Sequence, residues 1–220
     1  MAVITRLLFA RHGEARCNVA GLAGGDKTCT GLTDLGRRQV RLLATRLREE
    51  HESGSRIDVL YAAPRRRVRE SAQILSSALS LPAHVEPGLA GPRHGDGDGQ
   101  PWAEVKTAFG GPPQSDPDRP YARGSETWNQ YLARAGAALA GLISRHAGQQ
   151  VLIAGHSETV EAAATLLLGL PAGTCTRAGF QVGHASLTRW HMQRNRFGQE
   201  VWVFTALNDT AHLPQAAFHA

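Results

Sequence analysis

Three short apolar runs in this chain stop abruptly, the first and third of them at reactive residues. Leu7-Leu8-Phe9-Ala10 ends on Arg11-His12-Gly13-Glu14, Ile57-Asp58-Val59-Leu60-Tyr61 on Ala62-Ala63-Pro64, and Val151-Leu152-Ile153-Ala154 on Gly155-His156. Runs of this length predict buried strands. Gly13 is expected to permit a sharp turn out of the first strand, leaving Arg11 and His12 at its end. In an open parallel sheet, ligands collect beyond the carboxyl ends of the strands, so these are the positions from which a substrate would be met.

Between the runs the apolar period becomes helical. Leu35, Val40, Leu42, Leu43 and Leu47 form one face behind an N-cap at Thr33 or Asp34, and that helix fades before Ser53-Gly54. Pro64 is placed to open a helix striped by Val68, Ala72, Ile74, Leu75 and Leu79. Glu126 to His146 predicts a long helix stopped by Gly148, and Ser157 to Leu168 an Ala/Leu-rich one ended by Gly169 and Pro171. Ala185 to His191 and Glu200 to Leu207 are β-rich and joined by the turn-like Asn195-Arg196-Phe197-Gly198. Gly21 to Gly31 predicts a loop over the first strand end. Pro82 to Gly124, rich in Gly, Pro and Asp, predicts a lid at about 86–125 with one short helix around Trp102 to Phe109. The order implies an α/β layered fold built as a single domain over 1–220.

Charge and cysteine content narrow the function classes. The 220 residues carry 24 Lys plus Arg against 19 Asp plus Glu, a net charge of +5 that suits an anionic small substrate. Arg65-Arg66-Arg67-Val68-Arg69 is the densest basic cluster, and without interleaved aromatics it gives no reason to expect nucleic acid. Cys17, Cys29 and Cys175 are too few and too scattered for a disulfide framework or a zinc site, so neither metal nor other cofactor is expected. No signal-like N-terminus or membrane-length apolar run is visible, and the expectation is a soluble cytoplasmic protein with no membrane partner. A homodimer is compatible with the sequence without being implied by it.

Three strand ends thus present Arg11 with His12, an Arg-rich helix start, and His156. Phosphoryl transfer needs such a set: a nucleophile, guanidinium forks for equatorial oxygens, and a second polar group to steady developing charge. Imidazole, with an unperturbed pKa of about 6.5, is available as that nucleophile near neutrality.

The chain resembles the histidine phosphatase superfamily, in its phosphoglycerate-mutase-like branch 1. Arg11-His12-Gly13-Glu14 followed by Asn18 matches the opening motif, and Gly31-Leu32-Thr33-Asp34-Leu35-Gly36-Arg37-Arg38-Gln39 the Leu-Thr-x-x-Gly-x-x-Gln segment. Ala62-Ala63-Pro64-Arg65-Arg66-Arg67-Val68 resembles Ser-Ser-Pro-Leu-x-Arg-Ala, Gly124-Ser125-Glu126-Thr127-Trp128 resembles Gly-Glu-Ser-Trp, Val151 to His156 matches the strand of the second histidine, and Leu207 to Leu213 resembles a common ending. The resemblance implies a three-layer α/β/α sandwich with a mostly parallel sheet. It makes His12 the phosphorylated nucleophile, Arg11, Arg67 and His156 the phosphoryl ligands, and Asn18 a substrate contact; Glu14, Ser157 and His184 are further candidates to line the pocket.

The pattern breaks at the general acid. The glutamate that the family draws from its lid falls on Gly91, which leaves Glu86, Asp96, Asp98 and Glu158 as replacements, Asp96 and Glu158 foremost. The resulting expectation is a metal-independent phosphatase acting on a small phosphorylated metabolite. A phosphoglycerate-mutase-type phosphotransferase ranks lower, because Gly91-Pro92-Arg93-His94-Gly95 lacks the Glu and Tyr of Glu-Arg-x-Tyr-Gly. A degenerate phosphate-binding member that lost its acid is the third reading.

Overall fold

A computed structural model describes residues 3–171 and 179–214; Cys175 lies outside them. The apolar runs become adjacent strands. β1 (Val3–Arg11), β2 (Val59–Ala62), β3 (Ala83–Val85) and β4 (Gln150–Gly155) run parallel, with β4 pairing to both β1 and β2 and buried along its whole length. β5 (Leu187–Arg194) and β6 (Glu200–Asp209) add an antiparallel edge, giving the order β3-β2-β4-β1-β5-β6. Register sets Arg11 opposite Gly155, which carries His12 and His156 out of the same end of the sheet side by side.

After the short turn α1 (Arg16–Val19), α2 (Asp34–Glu52) and α3 (Arg66–Leu79) pack against each other. The small α4 (Trp102–Phe109) precedes α5 (Trp128–Arg145) and α6 (Ser157–Leu167), which form a second packed pair. The connections β1-α2-β2 and β2-α3-β3 step one way across the sheet, whereas β3-α5-β4 steps back. Right-handed crossovers therefore put the two helix pairs on opposite faces, the expected α/β/α sandwich. Among the described residues no helix is long and apolar enough to cross a membrane.

Several boundaries differ from the sequence reading. The second strand starts at Val59, with Ile57 buried just ahead of it. α3 starts at Arg66 rather than beside Pro64, because the Arg65 side chain is engaged elsewhere. α5 starts at Trp128, where Thr127 and Gln130 form a reciprocal cap of 3.2 and 3.0 Å, and Glu126 is left outside to pair with Arg134. The segment at 86–125 also holds more structure than one helix. Val105, Phe109 and Tyr121 make a small core of their own, and the backbone of Gly99, Gln100 and Trp102 bonds to Ala23 and Gly21 of the preceding loop. The Asp98 carboxylate accepts N–H bonds from Gly25 and Lys27 at 2.9 and 3.0 Å, so it ties the two loops together.

Gly13 is needed for closeness, not for a turn: its φ is not in the left-handed region. A Cβ there would lie 2.3 Å from the Gly36 carbonyl oxygen, and a Cβ on Gly36 would lie 2.0 Å from that of Glu14. The exit of β1 and the first turn of α2 thus meet backbone to backbone. Gly13→Ala and Gly36→Ala should each lower unfolding free energy by about 1–3 kcal/mol, the usual cost of forcing extra carbon into a filled interior. Denaturant midpoints unchanged from wild type would refute that packing.

Candidate active site

The chain leaves β1 through two anchored peptides, with His12 N–H bonded to the Gly155 carbonyl at 3.0 Å and Ala185 N–H to the His12 carbonyl at 3.2 Å. The imidazole is equally constrained. Nδ1 of His12 lies 2.7 Å from the Gly13 carbonyl oxygen, which only accepts, so Nδ1 carries the proton and Nε2 holds the lone pair. Arg67 donates to that lone pair from Nε at 3.0 Å, donates from Nη1 to the Gly24 carbonyl at 2.7 Å, and approaches His156 Nδ1 through Nη2 at 3.3 Å. The two histidine rings stand edge to face, centroids 5.3 Å apart.

Arg11, the last residue of β1, completes the wall. It donates to the Val182 carbonyl and lies 3.1 Å from His184 Nε2, while the His184 ring sits 5.8 Å from that of His12. Arg11 Nε and His156 Nε2 are buried without a hydrogen-bond partner among the described residues. Buried donors are rarely left so. Two guanidinium groups and two such atoms at the end of a parallel sheet suit a compact oxyanion.

The electrostatics favour a neutral nucleophile. Burial, then the charges of Arg67 and Arg11, hold the His12 pKa well below its ordinary value, against the pull of the Gly13 carbonyl. Burial with Arg67 and Arg65 does the same to His156, and burial with Arg11 and Arg67 takes His184 to about 3. Glu158, in the first turn of α6, is pushed up by burial, but its own backbone N–H, Arg11, Arg67 and the Ser157 hydroxyl outweigh that and leave it lowered. Its carboxylate accepts from Ser157 at 3.0 Å. In the empty pocket Glu158 is therefore an anion.

Other candidates fall away from this centre. Asp96 is exposed on a 3-10 turn with no side-chain bond among the described residues, and Asp98 serves as the loop tie. Glu14 turns its carboxylate to the Thr33 hydroxyl at 2.6 Å, and Asn18 caps the Ala15 N–H at 3.1 Å on the exposed side of α1. Glu86 caps Gly88 at 3.0 Å. Of the clustered arginines, Arg66 pairs with Glu70 and Arg69 is exposed, leaving Arg67 in the pocket.

Sequence reasoning missed Arg65. It is 4% exposed, pairs with Asp26 at 3.1 Å, reaches His94 at 3.4 Å and donates to the carbonyls of Gly91 and Pro92. A Cβ on Gly91 would lie 2.7 Å from Arg65 Nη1 and 3.1 Å from His156 Cδ2. The space that a side chain at 91 would enter is thus filled by a guanidinium. The available signal was paired: an arginine where the resembled pattern has leucine, and a glycine where it has glutamate. Beside Arg67, the free thiols Cys17 and Cys29 bond to each other, and the hydrogen bond from Cys17 lowers the Cys29 pKa.

The sequence profile of the histidine phosphatase superfamily (branch 1) matches residues 7–205. The chain belongs to that superfamily. It is 24% identical over 220 residues to a metal-independent phosphoserine phosphatase of Arabidopsis thaliana, covering 98% of this chain and 86% of that one. It is 26% identical over 216 residues to phosphoserine phosphatase 1 of Hydrogenobacter thermophilus, covering 96% and 95%. In fold it is similar to a mycobacterial glucosyl-3-phosphoglycerate phosphatase solved with VO3, with a TM-score of 0.78, 23% identity and coverage of 94% and 100%.

The suppressed imidazole pKa values make the superfamily's pocket acid-sensitive in this chain. His12, His156, His184 and His94, the last taken to about 4 by burial and Arg65, bind a proton near pH 6.5 when unfolded but not when folded. The stability they contribute is complete above pH 6.5 and is lost as pH falls toward the folded values. Unfolding free energy should drop between pH 7 and pH 4, by up to about 1.4 kcal/mol per pH unit for each histidine, and His94→Gln should flatten the slope. A flat profile in urea melts across that range would contradict the assignment.

Proposed function

We propose that this protein hydrolyses a small phosphomonoester in two in-line displacements at His12, without a metal ion. The observation that carries the reading is the fixed tautomer of His12, with Nδ1 held by the Gly13 carbonyl and Nε2 facing Arg67. A phosphate dianion entering the pocket takes the guanidinium groups of Arg11 and Arg67 and the orphan nitrogens of Arg11 and His156 as partners. Nε2 then attacks phosphorus as the ester oxygen leaves. The Nδ1 proton stays on the ring, where the Gly13 carbonyl stabilises the positive charge that the phosphohistidine acquires. Water displaces phosphate from Nε2 in the second step and restores the neutral ring.

The leaving oxygen takes its proton from Glu158. This carboxylate is ionised in the empty pocket, but an incoming dianion raises its pKa by like charge, so it arrives at the chemical step as an acid. Regenerated as a carboxylate, it accepts a proton from the attacking water. The relatives named above, which act on phosphoserine and glucosyl-3-phosphoglycerate, support a small polar metabolite as the substrate. Neighbouring free thiols fit action in a reducing cytoplasm.

His12→Ala should abolish phosphate release from p-nitrophenyl phosphate while the far-ultraviolet dichroism stays native; substantial residual turnover would overturn the mechanism. EDTA should leave the rate unchanged. Glu158→Gln should lower kcat on alkyl phosphates by about 10²–10⁴, the usual worth of a general acid, with a much smaller loss on p-nitrophenyl phosphate, whose leaving group needs no proton. Equal losses on both would assign Glu158 another role, and Asp96→Asn should change neither.

A further inference from the structure

A cavity of 190 Å³ adjoins the phosphate-facing groups and has no part in the mechanism above. It is smaller than the roughly 300–1,000 Å³ of sites for drug-sized ligands, so it suits a compact leaving group. Glu158 joins the two spaces, for it lines the cavity and also feels the charges of Arg11 and Arg67. His156 turns its Cδ2 edge toward Gly91, the neighbour of cavity-lining Pro92, and the adjacent Nε2 is buried without a partner among the described residues. A ligand whose phosphate satisfies Nε2 would thus place the rest of itself here.

The cavity has the opposite polarity to the phosphate end. Trp102, Tyr121 and Trp128 supply aromatic walls, and Glu158 and Glu161 supply carboxylates. Glu126 also lines it but is neutralised by Arg134 through bonds of 2.9 and 2.7 Å. Glu161 is met by the uncharged amide of Gln114 at 3.2 Å. Lys106 also lines the cavity, from its exposed side, with Nζ 5.4 Å from the Trp102 ring centroid. Cations at one end and the Glu161 carboxyl, with no cation bonded to it among the described residues, beside aromatic faces at the other fit a dipolar molecule, since aromatic faces and carboxylates both attract ammonium.

We propose that this cavity binds a protonated amine on the leaving group, with Glu161 as its carboxylate partner, so that the substrates are phosphomonoesters of amino alcohols. The inference rests on the reading of the protein as a phosphatase. Burial and the like charge of Glu158, opposed by the Gln114 amide, raise the Glu161 pKa to about 7. The other groups around it are His94 and Tyr121 of the 86–125 segment, Lys106 of α4, the Glu126–Arg134 pair, and Tyr131 of α5. When a phosphate dianion protonates Glu158, the like charge that adds to the effect of burial on Glu161 is removed, which lowers the Glu161 pKa as the amine arrives.

The test compares O-phosphoethanolamine with n-propyl phosphate, nearly equal in size and different in charge. The ratio of their kcat/KM values cancels changes common to both. Glu161→Gln should lower that ratio about tenfold or more, the usual weight of one charged hydrogen bond. The wild-type ratio should also climb between pH 6 and 8 relative to the variant, which controls for titration of the substrates themselves. If wild type turns over both esters and p-nitrophenyl phosphate through His12 but the ratio is unmoved by Glu161→Gln, the amine site is overturned and the phosphatase reading stands. Absence of phosphate release from all three substrates would overturn the phosphatase reading itself.

Discussion

Arg67 is a buried cation whose hydrogen bonds run to neutral groups: His12 Nε2, the Gly24 carbonyl and the Nδ1 edge of His156. A charge so placed costs several kcal/mol of solvation that these partners only partly return. The arrangement holds because the fold brings β1, β4 and the start of α3 to one point, and because both imidazoles stay uncharged beside the guanidinium. The same constraint makes the site ready for a dianion. Its donors are aimed before the substrate arrives, so little reorganisation accompanies binding or the transition state.

The second organising feature is the contact between Gly91 and the base of α3. Gly91 sits against Arg65 Nη1 and His156 Cδ2, so a side chain at 91 would require the Arg65 guanidinium to move. Arg65 fastens the 86–125 segment, tying Asp26, His94 and the carbonyls of Gly91 and Pro92 to the base of α3. The carboxylate that feels the charges of Arg11 and Arg67 is Glu158, held by the first turn of α6. The pair Arg65 and Gly91 thus fastens the segment, and Pro92, His94, Trp102 and Tyr121 of that segment line the cavity beside Glu158.

The parallel core was legible in the sequence because β1, β2 and β4 each contain a short apolar run, which in β1 and β4 ends at a histidine. β3 was not, since Ala83-His84-Val85 is too short and too exposed to show a pattern. Motif and strand-end position pointed to Arg11 and His12 and motif to Arg67 and His156, and the fold brings these four side chains to one end of the sheet. Asp96 was misleading: its glycine neighbours allow many positions, and the fold leaves it in solvent. Glu14 looked like a pocket residue by adjacency to His12, yet the close Gly13–Gly36 contact turns the chain so that its carboxylate meets Thr33. Arg65 is buried through contacts with residues distant in the chain, which no local period encodes.

The account turns on one nitrogen of one ring. Rapid chemical quench of the enzyme with a phosphorus-labelled ester, followed by peptide mapping in alkali, locates the phosphoryl group on the protein. If the Gly13 carbonyl fixes the tautomer as described, the label is found on Nε2 of His12 and is lost on mild acid treatment. Label on Nδ1, on another residue, or on no residue during active turnover would contradict it.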